Sequence, residues 1–223
     1  MRLTNAKYNL QIEMQENRID VLIIENPMVM AEMVGGLQEQ CNGMEGDFVL
    51  SENNEIIRLD KNFAMVVNPF SLEFNDRKIL NKLYSELSVS GNEYFLEKEK
   101  INTEIIKLLE KVISNQQYDS INFKLEMDWN ELFKMYSVKL EENSDSLLEK
   151  IIEYIKILSG LCSIRVLCLV NIKNYLDETE INQLYEMAFY NKIQLLLIEA
   201  NEKKNCDNEN SYIIDNDRCL IIK

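Results

Sequence analysis

The chain contains no histidine, and that single absence removes most of the usual catalytic repertoire. Without imidazole there is no Ser–His or Cys–His nucleophile pair, no His-ligated metal, and no side chain whose ordinary pKa lies just below neutrality. The cysteines, Cys41, Cys162, Cys168, Cys206 and Cys219, include no CxxC spacing, so a thiolate zinc site is not expected. Their odd number suits a reducing compartment, and the chain is read as cytoplasmic. Cys168 lies inside an apolar run and reads as a buried, inert thiol. The phosphate-cradling patterns GxxxxGK[ST] and GxGxxG are both missing. An enzyme built on this chain would have to work with carboxylates and lysines alone, and a binding protein without a catalytic cycle is expected.

Three polar residues, Glu25, Asn171 and Glu199, follow apolar runs that read as buried strands. That is where α/β sheets place ligands, although strand-end hydrogen bonding is the plainer role for them. Asn122, Lys124, Glu126 and Asp128 alternate along residues 120–128, and Asn122, Glu126 and Asp128 could offer oxygens to a hard cation such as calcium. The oxygen-rich run Asp207, Asn208, Glu209 and Asn210 reads as a surface loop. Arg77, Lys78 and Lys82 cluster near the start of a helical pattern, and Lys134 and Lys139 lie on and just after a shorter one. Such residues usually serve solubility and local ion pairing; these five could line a DNA-facing surface if assembly brings copies together.

The charge total opposes nucleic-acid binding at first sight: 24 basic against 38 acidic residues, net −14. The distribution is uneven. Residues 61–160 carry 13 basic and 17 acidic groups, and the remainder carry 11 and 21.

The elements that would position these groups follow from periodicity. Residues 3–14 alternate as a strand or hairpin, and residues 18–25 end in a continuous apolar run, the mark of a strand buried on both faces. Asn26 and Pro27 then supply an N-cap and a first helical residue, predicting a helix with Met30, Met33, Val34 and Leu37 inward and a stop near Asn42–Gly43. Residues 47–50, 56–59 and 63–67 read as an antiparallel meander. After Asn68–Pro69 the pattern turns helical. Asn75 is expected to cap a helix broken at 88–92, a second helix covers 98–114, residues 120–128 form a strand or extended arm, and Asp128 caps a short helix over 129–136. Ser146 and Glu149 match a capping box, as do Asp177 and Glu180. Residues 166–170 and 195–198 are further buried strands, and a polar loop over 201–210 precedes a final hairpin. The fold class is therefore α/β, with a mostly parallel head from residues 1–67 and 160–223 and a helical insertion over 68–159. The 46% hydrophobic content is enough for a core. No apolar run could cross a bilayer, and the first ten residues lack the apolar stretch of a signal peptide, so no membrane partner is expected.

In order, several segments are familiar: Leu22-Ile23-Ile24-Glu25-Asn26; Met65-Val66-Val67-Asn68-Pro69-Phe70 leading to Ile79, Leu80 and Leu83; Glu131-Leu132-Phe133-Lys134 through Glu141; Ser144-Asp145-Ser146; and the strands ending at Asn171 and Glu199. In element order and length, the chain resembles the Csn-type adaptation proteins of type II-A CRISPR systems over nearly its whole length. The resemblance implies a P-loop-like head without a working nucleotide site and a helical leg. It implies a homotetrameric ring that binds calcium and threads double-stranded DNA by its free ends through a lysine-lined hole. It also implies a part in spacer acquisition beside the CRISPR integrase and effector nuclease. The family's calcium region corresponds to residues 121–128, where Lys124 occupies one expected carboxylate position. A ring eases the charge problem, because enclosure and symmetry multiply a few lysines. The competing functions are a divergent nucleotide hydrolase or carboxylate–metal nuclease, and a pure protein-interaction scaffold.

Overall fold

The structure is a computed structural model that describes residues 1–118, 120–204 and 206–223. Two compact units divide it: Met1–Phe74 with Glu142–Lys223, and Asn75–Glu141.

In the first unit the opening alternation forms a hairpin, β1 (Arg2–Asn5) and β2 (Leu10–Glu13), joined through a 3₁₀ turn that Asn5 caps. β3 (Ile19–Ile24) is buried at every position, as its unbroken apolar run requires. It feeds α1 (Pro27–Cys41), whose start is fixed by Asn26. The inward face of α1 is Val29, Met33, Leu37 and Gln40, with Met30 and Val34 at its border. β4 (Phe48–Glu52) and β5 (Glu55–Ile57) turn at Asn53 and Asn54, both with positive φ, the backbone that a tight hairpin turn demands. A helical turn, α2 (Leu59–Asn62), then leads into β6 (Phe63–Val66).

The meander expectation fails at this last strand. β4 and β5 join the hairpin in an antiparallel sheet ordered β2-β1-β4-β5, whereas β6 pairs in parallel at the edge of a second sheet. Periodicity alone gives a strand's length and faces, not its partner, and the turn of α2 carries the chain out of the first sheet.

The second unit contains α3 (Arg77–Gly91), α4 (Phe95–Ser114) and α5 (Trp129–Met135). The cap of α3 is Asp76, whose carboxylate accepts the Ile79 N–H; Asn75 instead holds both the N–H and C=O of Leu140. The expected break at 88–92 is absent, since α3 runs through Gly91 and a 3₁₀ turn joins it to α4. Residues 120–128 form no strand; the segment is tied where the Asn102 side chain donates to the Leu125 carbonyl (2.8 Å).

Back in the first unit, α6 (Leu147–Lys156) begins at Ser146, whose hydroxyl accepts the Glu149 N–H. The Glu149 carboxylate returns to the Asp145 N–H, so half of the predicted box forms. α6 lies within the 68–159 span expected of the insertion, yet it belongs to this unit, where Leu148, Ile151 and Ile155 are buried. β7 (Val166–Val170), α7 (Glu178–Tyr190) with its complete Asp177–Glu180 capping box, and β8 (Gln194–Glu199) follow as the sequence predicts. The polar 201–210 segment includes residue 205, outside the described residues. β9 (Glu209–Ile214) and β10 (Leu220–Ile222) form the closing hairpin. The second sheet is ordered β10-β9-β3-β8-β7-β6 and is parallel except at β10. Among the described residues no helix is long and apolar enough to cross a membrane.

Candidate nucleic-acid interface

All five candidate cations fall in the unit built from α3, α4 and α5, and Arg77, Lys78, Lys82, Lys134 and Lys139 are all exposed. Helical spacing organises the first three. Residues 77, 81, 84 and 88 form one stripe of α3, and residues 78, 82, 85 and 89 form the next. Lys134 comes from α5, and Lys139 from the segment beyond it. Among the described residues Arg77, Lys82, Lys134 and Lys139 make no ion pair, unlike Lys107 with Glu104 or Lys124 with Glu131 (2.8 and 2.7 Å). Unpaired cations keep their charge available to an external phosphate.

An aromatic seam holds α5 against α3. Trp129 stacks on Phe133 at 5.7 Å, and Phe133 meets Tyr84 at the same separation. The Tyr84 hydroxyl donates to the Val138 carbonyl (2.9 Å), which fixes the strand of chain that carries Lys139. Gly91 makes room for the indole, and Ser88 donates to the Asn130 side chain (3.2 Å). Between the helices runs a groove of about 420 Å³ whose lining includes Asn81, Ser85, Asn92, Trp129 and Lys134. Sequence reasoning missed this groove. Its signal is the spacing Asn81, Ser85, Ser88, Asn92, a polar stripe beside the chain's single tryptophan.

The calcium candidates are less well gathered. The Asn122 side chain turns back onto the Phe123 N–H (2.8 Å), and one oxygen of Asp128 caps α5 by accepting from Asn130 and Glu131. Lys124 is drawn to Glu131, which holds its ammonium above the usual lysine range. Among the described residues no three His, Cys, Asp or Glu side chains converge on a point that could hold a metal.

In the head, Asn171 and Glu199 are committed to structure. The Asn26 side-chain oxygen accepts from the Met28 and Val29 N–H groups, so the first N–H groups of α1, which would otherwise face a phosphate, are taken by the chain itself. Asn171, with φ of 54°, accepts from Ala200. Glu199 is buried and accepts the Lys173 N–H (3.1 Å); burial pushes its carboxyl up to about 7. Glu25 is exposed, and among the described residues its side chain meets only the Asn216 amide (3.3 Å). The ammonium of Lys173 pairs with Glu209 (2.6 Å), which also accepts from the Tyr185 hydroxyl (2.6 Å). Strand-end hydrogen bonding accounts for Asn171 and Glu199.

The family model of the CRISPR-associated protein (Cas_Csn2) matches residues 40–218, most of both units. The chain belongs to the Csn2 family. Two relatives carry the description CRISPR-associated protein Csn2. One, from Enterococcus faecalis, is 24% identical over 156 residues, 68% of each chain. The other, from Streptococcus agalactiae, is 25% identical over 162 residues, 70% of each. Among solved structures, a putative ABC transporter ATP-binding protein from Pyrococcus furiosus matches 91% of this chain and 88% of its own, at 10% identity and a TM-score of 0.41. A score that low carries no argument about this Csn2-family chain.

Proposed function

We propose that the chain holds double-stranded DNA without regard to sequence, preferably at free ends, as a homotetrameric ring that supports spacer acquisition. Its partners in that role are the CRISPR integrase and effector nuclease, in the cytoplasm. The observation that carries this proposal is the set of exposed, unpaired cations Arg77, Lys82, Lys134 and Lys139 gathered in one unit of a chain with net charge −14. Family membership supports the CRISPR setting.

The physics is that of enclosure. A strongly anionic surface repels DNA, and four or five cations on a lone chain would not overcome it at physiological salt. Repetition by symmetry multiplies them, and a closed ring retains duplex that has entered, so modest affinity per subunit is enough. No bond is made or broken, and catalysis is no part of the proposal. Calcium enters through the alternate oxygens of Asn122, Glu126 and Asp128 and through the family resemblance. No step is routed through an ion.

Electrophoretic mobility shifts test this directly. Linear duplex should be held more tightly than the same duplex closed into a circle, with affinity falling steeply as salt rises. Equal retention of both topologies, or none at low salt, removes the ring-on-DNA function.

A further inference from the structure

The groove between α3 and α5 has an unusual lining for a duplex-binding face. The Asn81, Ser85 and Asn92 side chains make no hydrogen bond among the described residues, and the indole N–H of Trp129 donates to none. The buried ring of Tyr84, its hydroxyl already spent on Val138, contributes apolar surface beside them. Lys134 and Asp128 both line the groove and Lys82 is the residue after Asn81, so the uncharged polar stripe is bordered by cations with one carboxylate beside it, an oxygen of which is already held by the Asn130 and Glu131 N–H groups. At about 420 Å³ the space is within the range of small-ligand sites, roughly 300–1,000 Å³.

Phosphates alone would call for positive charge, and an apolar peptide would call for an apolar cleft. Amides and a hydroxyl, offering both donors and acceptors next to aromatic surface, match a nucleobase, whose edge alternates donors and acceptors and whose face stacks. A base in a duplex presents neither its Watson–Crick edge nor a free face, so the match is to an unpaired one. The α3 stripes that carry Arg77, Lys78 and Lys82 are the same stripes that line the groove, which would bring a phosphate backbone to its mouth.

We propose that this groove receives an unpaired terminal nucleobase of the DNA, with the adjoining phosphate on Lys134. The inference rests on the duplex-holding function proposed above and specifies how an end is told from an interior.

The single tryptophan makes it measurable. Three duplexes are compared, with blunt ends, with a two-nucleotide 3′ overhang, and with the same overhang made abasic, while Trp129 emission is followed. A separate titration uses thymidine monophosphate with no duplex present. The base-bearing overhang should bind about tenfold more tightly than the other two, as one stacked base warrants, and should quench Trp129. Ser85→Leu, which fills the groove from an exposed helix position, should reduce the overhang to the blunt-end affinity. If abasic and base-bearing overhangs bind alike with emission unmoved while blunt duplex is still held, the groove assignment falls and duplex binding stands. If no duplex binds yet the monophosphate quenches Trp129 in the parent chain and not in Ser85→Leu, the groove assignment stands and duplex binding falls. Equal quenching by a Gly/Ser peptide at the same concentration overturns the nucleobase assignment.

Discussion

Gly91 and Trp129 are fitted to each other: a Cβ placed on residue 91 would lie 2.7 Å from Cε2 of the indole. The glycine ends α3 with ordinary helical backbone, φ −62°, so no special conformation demands it. What demands it is the ring, which α5 delivers from more than thirty residues downstream and stacks on Phe133.

Gly91→Ala should therefore destabilise the helical unit by about 1–3 kcal/mol, the usual penalty of overpacking, despite a helix-propensity gain of up to about 1 kcal/mol. The Trp129 emission should shift with it. Gly35→Ala in α1 is the control: nothing lies within 4 Å of its Cβ, so the same exchange should stabilise by about 0.5–1 kcal/mol. Urea denaturation of both variants checks the opposite signs.

Stability should fall as pH rises from about 4 to about 8. Burial raises Asp20 from 3.8 to about 6 and Glu199 from 4.5 to about 7, so the folded chain binds these protons more tightly than the unfolded one. The benefit is complete below the unfolded values and is lost as pH rises through about 6 and then about 7. Among the described residues, each of these carboxyls also has an oxygen without a hydrogen-bond partner. Asp20→Asn should flatten the lower part of this slope and stabilise at pH 8 by about 2 kcal/mol. A slope unchanged by the substitution would show that Asp20 is not its source.

Removing one member of the buried Lys173–Glu209 pair should cost more than removing both. Their side chains are 6% and 0% exposed, so Lys173→Met strands a buried carboxylate and should destabilise by about 3–5 kcal/mol. Adding Glu209→Gln to Lys173→Met should recover a large part of that, because the amide keeps an acceptor for the Tyr185 hydroxyl (2.6 Å) without the charge. A double-mutant cycle by denaturant unfolding measures the coupling.

For DNA, Lys134→Ala with Lys139→Ala should lower duplex affinity and reduce the slope of log K against log salt by about 2 for each chain in contact. The matched control is Lys204→Ala, whose ammonium is held by Glu178 at 2.7 Å in the head unit and which should leave the slope unchanged. Filter binding across a salt series distinguishes these outcomes from a general loss of fold, which circular dichroism would show.

Local chemistry accounts for what was legible in advance. Asn26–Pro27 and Asp177–Glu180 specify helix starts within four residues, and each forms as spelled. The short apolar runs of β3, β7 and β8, bounded by polar residues, read as strands hidden on both faces, and each forms one. The lack of histidine and of a phosphate-binding loop bounded the chemistry, and the order of segments pointed to the family. Tertiary structure decided everything that depends on a distant partner. β6 had the pattern of a meander strand and pairs in parallel with β7; Asn75 had the look of a cap and holds Leu140; the Asn122 side chain turns onto the Phe123 N–H and Asp128 caps α5. The groove beside Trp129 exists only because α3 and α5 are packed across an intervening helix and segment. Hydrogen-bond caps and periodicity act over a few residues and are written in the chain, whereas pairing, convergence and cavities are set by which surfaces meet, a choice made by the whole core at once.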